Sequence, residues 1–197
     1  MARRSLSKEI EDIREKLGNR PIVLVGLMGA GKSSIGRRLA EKLEIPFVDA
    51  DHEIEVAADK TIPEIFNDHG EAYFREGERR VISRLIENGA QILSTGGGAF
   101  INEETRQSIH AHGISVWLKA DLPLLMKRVM KRADRPLLQT EDPEAVMQKL
   151  MDQRYPVYST ADVTIESRDV QHTQMVNEVI KVLAKWPGWE RLNNASI

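Results

Sequence analysis

From Pro21 onward, short apolar runs alternate with longer stretches of helical periodicity, the pattern of a parallel sheet covered by helices. The runs Ile22–Val25, Phe47–Asp49, Gln91–Ser94, Ile114–Leu118 and Val163–Ile165 predict five strands. Between and after them the spacing predicts helices over Lys32–Leu43, Glu71–Asn88, Leu122–Arg132, Pro143–Tyr155 and His172–Lys185. In the last of these, Met175, Val176, Val179, Ile180, Val182 and Leu183 make one apolar face. Ahead of the sheet, Leu6, Ile10, Ile13 and Leu17 recur at helical spacing within residues 1–18, which predicts an appended, loosely docked surface helix closed by Gly18 and Asn19. The tail 186–197, with Pro187, Gly188, Asn193 and Asn194, reads as irregular. No repeat, low-complexity tract or linker interrupts the pattern, so residues 1–197 read as a single α/β domain.

Composition narrows the classes of function. The chain has 197 residues, 41% hydrophobic and 29% charged, with a formal net charge of −2. That balance lacks the basic excess of proteins that wrap nucleic acid, so any binding of phosphate must be local. There is no cysteine, which removes disulfides, thiolate metal sites and thiol catalysis together. No apolar run approaches the roughly 20 residues that span a bilayer, and the first twenty residues lack a signal peptide's apolar stretch. The expectation is a cytoplasmic monomer with no membrane or nucleic-acid partner.

The most specific signal is Gly26-Leu27-Met28-Gly29-Ala30-Gly31-Lys32-Ser33, a complete G-x-x-x-x-G-K-[ST] between a predicted strand and a predicted helix. Its glycines let backbone N–H groups turn inward around phosphates, and the following helix presents its positive end to them. Lys32 is expected on the β- and γ-phosphates, and the Ser33 hydroxyl on a Mg²⁺ ion. A plain glycine turn with an incidental lysine would not need both flanking elements.

This loop serves kinases, switch GTPases and motors alike, so the acceptor must be sought elsewhere. Asp49 and Asp51 follow the second strand, where an open parallel sheet presents its ligand crevice. Asp49 suits Mg²⁺, and Asp51 suits an acceptor hydroxyl, although Asp51 also reads as the cap of a helix beginning near His52. Arg75 and Glu78 share a helix face, which alone reads as a solvated ion pair. Gly96, Gly97 and Gly98 follow the third strand and permit a ligand to approach the backbone, as would a flexible turn. The basic run Lys127, Arg128, Lys131, Arg132 and Arg135 reads either as a solvated helix face or as cations over a polyphosphate. Met126, Met130 and Met147 read as core, and Trp117 as packing near a strand end.

In this order, the P-loop through Gly36, Asp49-Ala50-Asp51, Ile62-Pro63-Glu64-Ile65-Phe66, Phe74-Arg75-Glu76-Gly77-Glu78, Gly96-Gly97-Gly98, Arg135-Pro136-Leu137-Leu138 and Arg154 with Tyr158 resemble the shikimate kinase family over roughly residues 20–185. The resemblance implies a three-layer P-loop kinase fold, a five-stranded parallel sheet flanked by helices, with a mobile lid near Arg135. It implies ATP and shikimate as substrates and one Mg²⁺ ion. It carries Gly29, Ala30, Gly31, Lys32, Ser33 and Ser34 over as the ATP cradle, with Arg132 on adenine and Arg135 on the phosphates. Because the stretch between Arg132 and Arg135 is short, Arg128 competes for the adenine role. Asp51, Arg75, Gly97 and Arg154 carry over as shikimate-binding, with Phe66 and Phe74 as apolar walls. Lys32, Asp51 and Arg135 are the implied catalytic residues, and Ser33 and Asp49 the metal residues. Under this resemblance Glu78 fixes Arg75 in place. Gluconate kinase is the nearest alternative, since the Arg75 and Arg154 pair also suits a sugar acid. A switch GTPase would need a guanine motif that the sequence lacks.

Overall fold

The computed structural model describes residues 5–131 and 141–194. Five strands, β1 (Ile22–Val25), β2 (Phe47–Asp49), β3 (Ile92–Ser94), β4 (Ile114–Lys119) and β5 (Val163–Glu166), form one parallel sheet in the order β2-β3-β1-β4-β5. β1, at the centre, is buried at every position, as an apolar strand covered on both faces must be. The helices are α1 (Leu6–Leu17), α2 (Lys32–Leu43), α3 (Ala50–Ala58), α4 (Ile62–Ile86), α5 (Glu103–His112), α6 (Leu122–Val129), α7 (Pro143–Tyr158), α8 (His172–Ala184) and α9 (Trp189–Asn194). Among the described residues no helix is long and apolar enough to cross a membrane.

The described residues form two apolar clusters. The larger gathers the sheet with Leu39 and Leu43 of α2, Ile82 and Ile86 of α4 and Val179 and Ile180 of α8. The smaller consists of Ile54, Ile65 and Phe74, with Ile62, Phe66 and Val81 packed on it, Val81 touching the main core as well. It lies under α3 and the first part of α4, so that segment has a small core of its own.

The first and last described helices are bound more firmly than their sequences predict. Instead of a loosely docked surface helix, α1 sends fully buried Ile13 and Leu17 into the main core and packs on α8. Its entry is set by Ser5, whose side chain caps the Lys8 N–H. The tail expected to be irregular contains α9, with Trp189 and Leu192 buried. The Trp189 indole donates to the Leu183 carbonyl at 2.7 Å, and Arg20 donates to the Leu192 carbonyl at 2.5 Å.

Other boundaries move for local reasons. α4 begins at Ile62, nine residues before its predicted start, because Thr61 and Glu64 form a reciprocal capping box with Pro63 in the first turn. It breaks only at Gly70, where φ is 79°. α7 continues through Pro156 to Tyr158. Met130 is exposed rather than core, whereas Met147 is fully buried.

If α1 is part of the core, Ile13→Ala leaves a cavity costing about 2–5 kcal/mol. The expected result is a clearly lower urea midpoint with an unchanged slope. A midpoint equal to that of the unsubstituted protein would return α1 to the status of an appendage.

Candidate active site

β1 runs into the glycine loop, and Gly26, Gly29 and Gly31 all adopt positive φ, at 137°, 81° and 100°. Residues with a side chain rarely adopt that geometry, and with it the loop can curl its N–H groups to one side. Gly31 is the N-cap of α2, so the helix opens directly beneath the loop with no side-chain cap of its own. Lys32 folds across the loop, its Nζ donating to the carbonyls of Gly26 at 2.8 Å and Leu27 at 3.0 Å. Ser33, in the first turn of α2, donates to Asp49 Oδ2 at 2.9 Å and lies 3.3 Å from the Ser94 hydroxyl. Two hard oxygen donors thus meet at the strand ends beside the phosphate loop, the donor chemistry that Mg²⁺ takes when phosphates and water supply its other ligands.

Asp49 also accepts from the Asp51 N–H at 3.2 Å and is the N-cap of α3. The capping role expected of Asp51 therefore belongs to Asp49, two residues earlier. Asp51 stands in the first turn, facing the Gly96–Gly98 loop: a β-carbon at Gly96 would lie 2.8 Å from both Asp51 Oδ1 and Glu78 Oε1.

Across that loop is a cavity of about 380 Å³ whose lining includes Glu71, Arg75, Glu78, Gly98, Gln153 and Arg154. Arg75 donates through Nη1 to Glu78 at 2.7 Å and through Nε and Nη2 to Glu71 at 3.3 and 3.2 Å. Its guanidinium lies against the backbone of Gly98, where a β-carbon would come within 2.6 Å of Cζ and 2.7 Å of Nη2. Glycine at 98 is thus a matter of space. The ring of Phe74, 4.6 Å from that of Phe66, faces the same cation.

The Arg75–Glu78 pair is no solvated surface contact. The Glu78 side chain is only 4% exposed, and one of its oxygens, Oε1, is buried without a hydrogen-bond partner among the described residues. Burial pushes its carboxyl above the usual glutamate range, with Arg75 pulling the other way and Asp51 adding to the rise. Burial also opposes the Arg75 charge, but Glu78 and Glu71 outweigh it and the guanidinium titrates above its ordinary value. Arg154 of α7 completes the rim, donating to the Gly97 carbonyl at 3.0 Å. The phosphate loop and this cavity adjoin, since a β-carbon at Gly97 would be 3.7 Å from the Gly26 carbonyl and from the Met28 N–H nitrogen.

The structure therefore brings together Gly29 to Ser34 and Asp49 on one side, and Asp51, Arg75, Gly97 and Arg154 on the other. Arg132 and Arg135, expected on adenine and phosphates, lie outside the described residues. Arg128, the rival for adenine, is held by the carbonyls of Gly29, Ala30 and Arg168 and by the Ser167 hydroxyl. Burial lowers its affinity for its proton. It joins the phosphate loop to the loop after β5. Sequence spacing did not single out Glu71, although a glutamate four residues before an arginine is a legible helix pair.

A profile of the family described as shikimate kinase matches residues 28–184. A shikimate kinase of Bradyrhizobium diazoefficiens is 60% identical over 172 residues, covering 87% of this chain and 83% of that one. One from Rhodopseudomonas palustris is 55% identical over 177 residues, covering 90% and 87%. The solved shikimate kinase of Acinetobacter baumannii in complex with shikimate superposes with a TM-score of 0.81 at 37% identity, covering 87% of this chain and 96% of that one. A gluconokinase from Sinorhizobium meliloti superposes with a TM-score of 0.60 at 18% identity, which is likeness of fold alone.

Two outcomes test this geometry. Gly98→Ala is expected to push the Arg75 guanidinium out of place, so that binding of a carboxylate-bearing acceptor weakens while ATP binding changes little; isothermal titration with each ligand checks it. Glu78, whose folded-state pKa is raised, contributes stability that is full below the ordinary glutamate pKa and is lost as pH rises through the raised value. Glu78→Gln should remove that part of the slope of unfolding free energy against pH, measured by denaturant titration at a series of pH values. An unaltered slope would count against a raised Glu78.

Proposed function

The chain belongs to the shikimate kinase family, and we propose that it transfers the γ-phosphate of ATP to the 3-hydroxyl of shikimate, a step of aromatic amino-acid biosynthesis. The observation that carries this reading is the pocket of Arg75 and Arg154 adjoining the phosphate loop through Gly97. Shikimate has one carboxylate and several hydroxyls. Two guanidinium groups on one rim suit the carboxylate, because paired N–H donors match its two oxygens. The aromatic pair Phe66 and Phe74 supplies an apolar wall beside them. The hydroxyls then fall to Asp51 and to the backbone at Gly97, on the side that faces the phosphates.

Lys32 exchanges the Gly26 and Leu27 carbonyls for phosphate oxygens, and the N–H groups of Gly29 to Ser34 hold the rest of the polyphosphate. Mg²⁺ is assigned to Ser33 and Asp49, which already meet at 2.9 Å; bound there it would neutralise phosphate charge. The acceptor oxygen attacks the γ-phosphorus, the bond to the oxygen bridging the β- and γ-phosphates breaks, and ADP leaves. Asp51 aligns the attacking hydroxyl and takes its proton. The rate comes mostly from positioning and charge neutralisation, since phosphoryl transfer asks for little covalent help. Arg135 is assigned to the phosphates from sequence. Arg132 is likewise assigned to adenine from sequence, with Arg128, whose guanidinium bridges the phosphate loop and Arg168, as its rival.

The direct test is ADP release from ATP and Mg²⁺ in the presence of shikimate, gluconate or nucleoside monophosphates, where only shikimate should stimulate turnover. Arg75→Ala is expected to raise the KM for shikimate roughly tenfold or more, the value of a hydrogen-bonded charge, with the KM for ATP little changed. Asp51→Asn should lower kcat about a hundredfold or more at saturating shikimate. Near-normal turnover by that variant would remove Asp51 from the chemistry.

A further inference from the structure

The Gly96–Gly98 loop has no side chains by which to be held, and glycine has more backbone freedom to lose than any other residue. Its ends are fastened. Thr95 ties to the Leu24 carbonyl through N–H and hydroxyl at 3.2 and 3.0 Å, and the turn after the loop bonds Ala99 N–H to Gly96 O and Ile101 N–H to Gly98 O. Neither set reaches the middle peptide. The Gly97 carbonyl is instead taken by two groups from α7, Arg154 Nη1 and the hydroxyl of Tyr158. These lie four residues apart and so project from one helix face.

Tyr158 is fully buried, with its ring packed among Phe100, Trp117 and Tyr155 at centroid distances of 6.4, 5.9 and 6.2 Å. Burial pushes its phenol up to about 12, so it stays protonated and able to donate across the physiological range. A ring so confined cannot follow a wandering loop; the loop must come to it. Because a peptide is planar, fixing the Gly97 carbonyl fixes the N–H of Gly98 and the position of its α-carbon, on which the Arg75 guanidinium rests.

We infer that the Tyr158 hydroxyl is a positioning group for shikimate: with Arg154 it clamps the Gly97 carbonyl and so sets the glycine loop between the phosphate cradle and the acceptor pocket. Tyr158 touches neither substrate and acts through Gly97, Gly98 and the two arginines. The inference rests on the shikimate kinase reading.

The test is Tyr158→Phe, which keeps the ring and removes the donor. The KM for shikimate is expected to rise roughly five- to tenfold, the worth of one lost buried hydrogen bond, with the KM for ATP within about twofold of normal. Tyr155→Phe is the control: its hydroxyl donates to the Ala120 carbonyl, away from the loop, and its loss should leave both KM values unchanged. To guard against misfolding of the phenylalanine variant, 3,5-difluorotyrosine at position 158 retains ring and hydroxyl but ionises at lower pH. In that protein the KM for shikimate should climb on the alkaline side of neutrality, where the unsubstituted protein stays flat. Unchanged KM values in Tyr158→Phe, equal rises for both substrates, or a flat alkaline profile in the fluorinated protein would overturn the assignment. Loss of shikimate-dependent ADP release in the unsubstituted protein would overturn the functional reading itself.

Discussion

The register of the parallel strands decides where the phosphate loop, the two aspartates and the three glycines meet. Asp49 pairs with Ser94, Ser94 with Leu24, and Val25 with Trp117, so the chain leaves β1, β2, β3 and β4 at one edge of the sheet. From that edge β1 gives the phosphate loop, β2 gives Asp49 and Asp51, and β3 gives the three glycines. A slip of one residue would turn the Asp49 carboxylate to the opposite face of the sheet, away from the Ser33 hydroxyl that it now meets. Parallel pairing thus does more than build a core; it collects donors from segments distant in sequence.

The second condition is a local imbalance of charge in a nearly neutral chain. Arg75 and Arg154 line a cavity that also contains Glu71 and Glu78; Arg75 is held by both carboxylates and Arg154 by the Gly97 carbonyl. A buried carboxylate with an unpaired oxygen is costly on its own. It holds the Arg75 guanidinium against the backbone of Gly98. The helix that supplies Arg75 packs on both clusters, through Phe74 on the small one and through Ile82, Leu85 and Ile86 on the main core.

Much of this was legible in the sequence. The strands were readable because buried parallel strands are continuous apolar runs, and the phosphate loop because its residue types are dictated by its ligand. α3 and α5 were not predicted as helices from periodicity: only Ala50 and Ile54 of α3, and Thr105 and Ile109 of α5, are buried, too few to make a stripe. The start of α4 was present as Thr61-x-x-Glu64 but stood apart from the apolar pattern. The Arg75–Glu78 pair looks like any surface pair in one dimension; only the fold reveals that Glu78 is buried. Tyr158 was visible as a letter in a motif, whereas its bond to Gly97, 61 positions away, has no local trace.

Gly98 and Arg75 occupy each other's space, and this constrains the order in which the two positions can change in a lineage. A side chain arriving at 98 while the arginine remains must displace it. The arginine can be lost first without crowding anything, after which the glycine is no longer required and position 98 can drift. The path is easy in one direction and obstructed in the other, because a later return of arginine would find its seat filled.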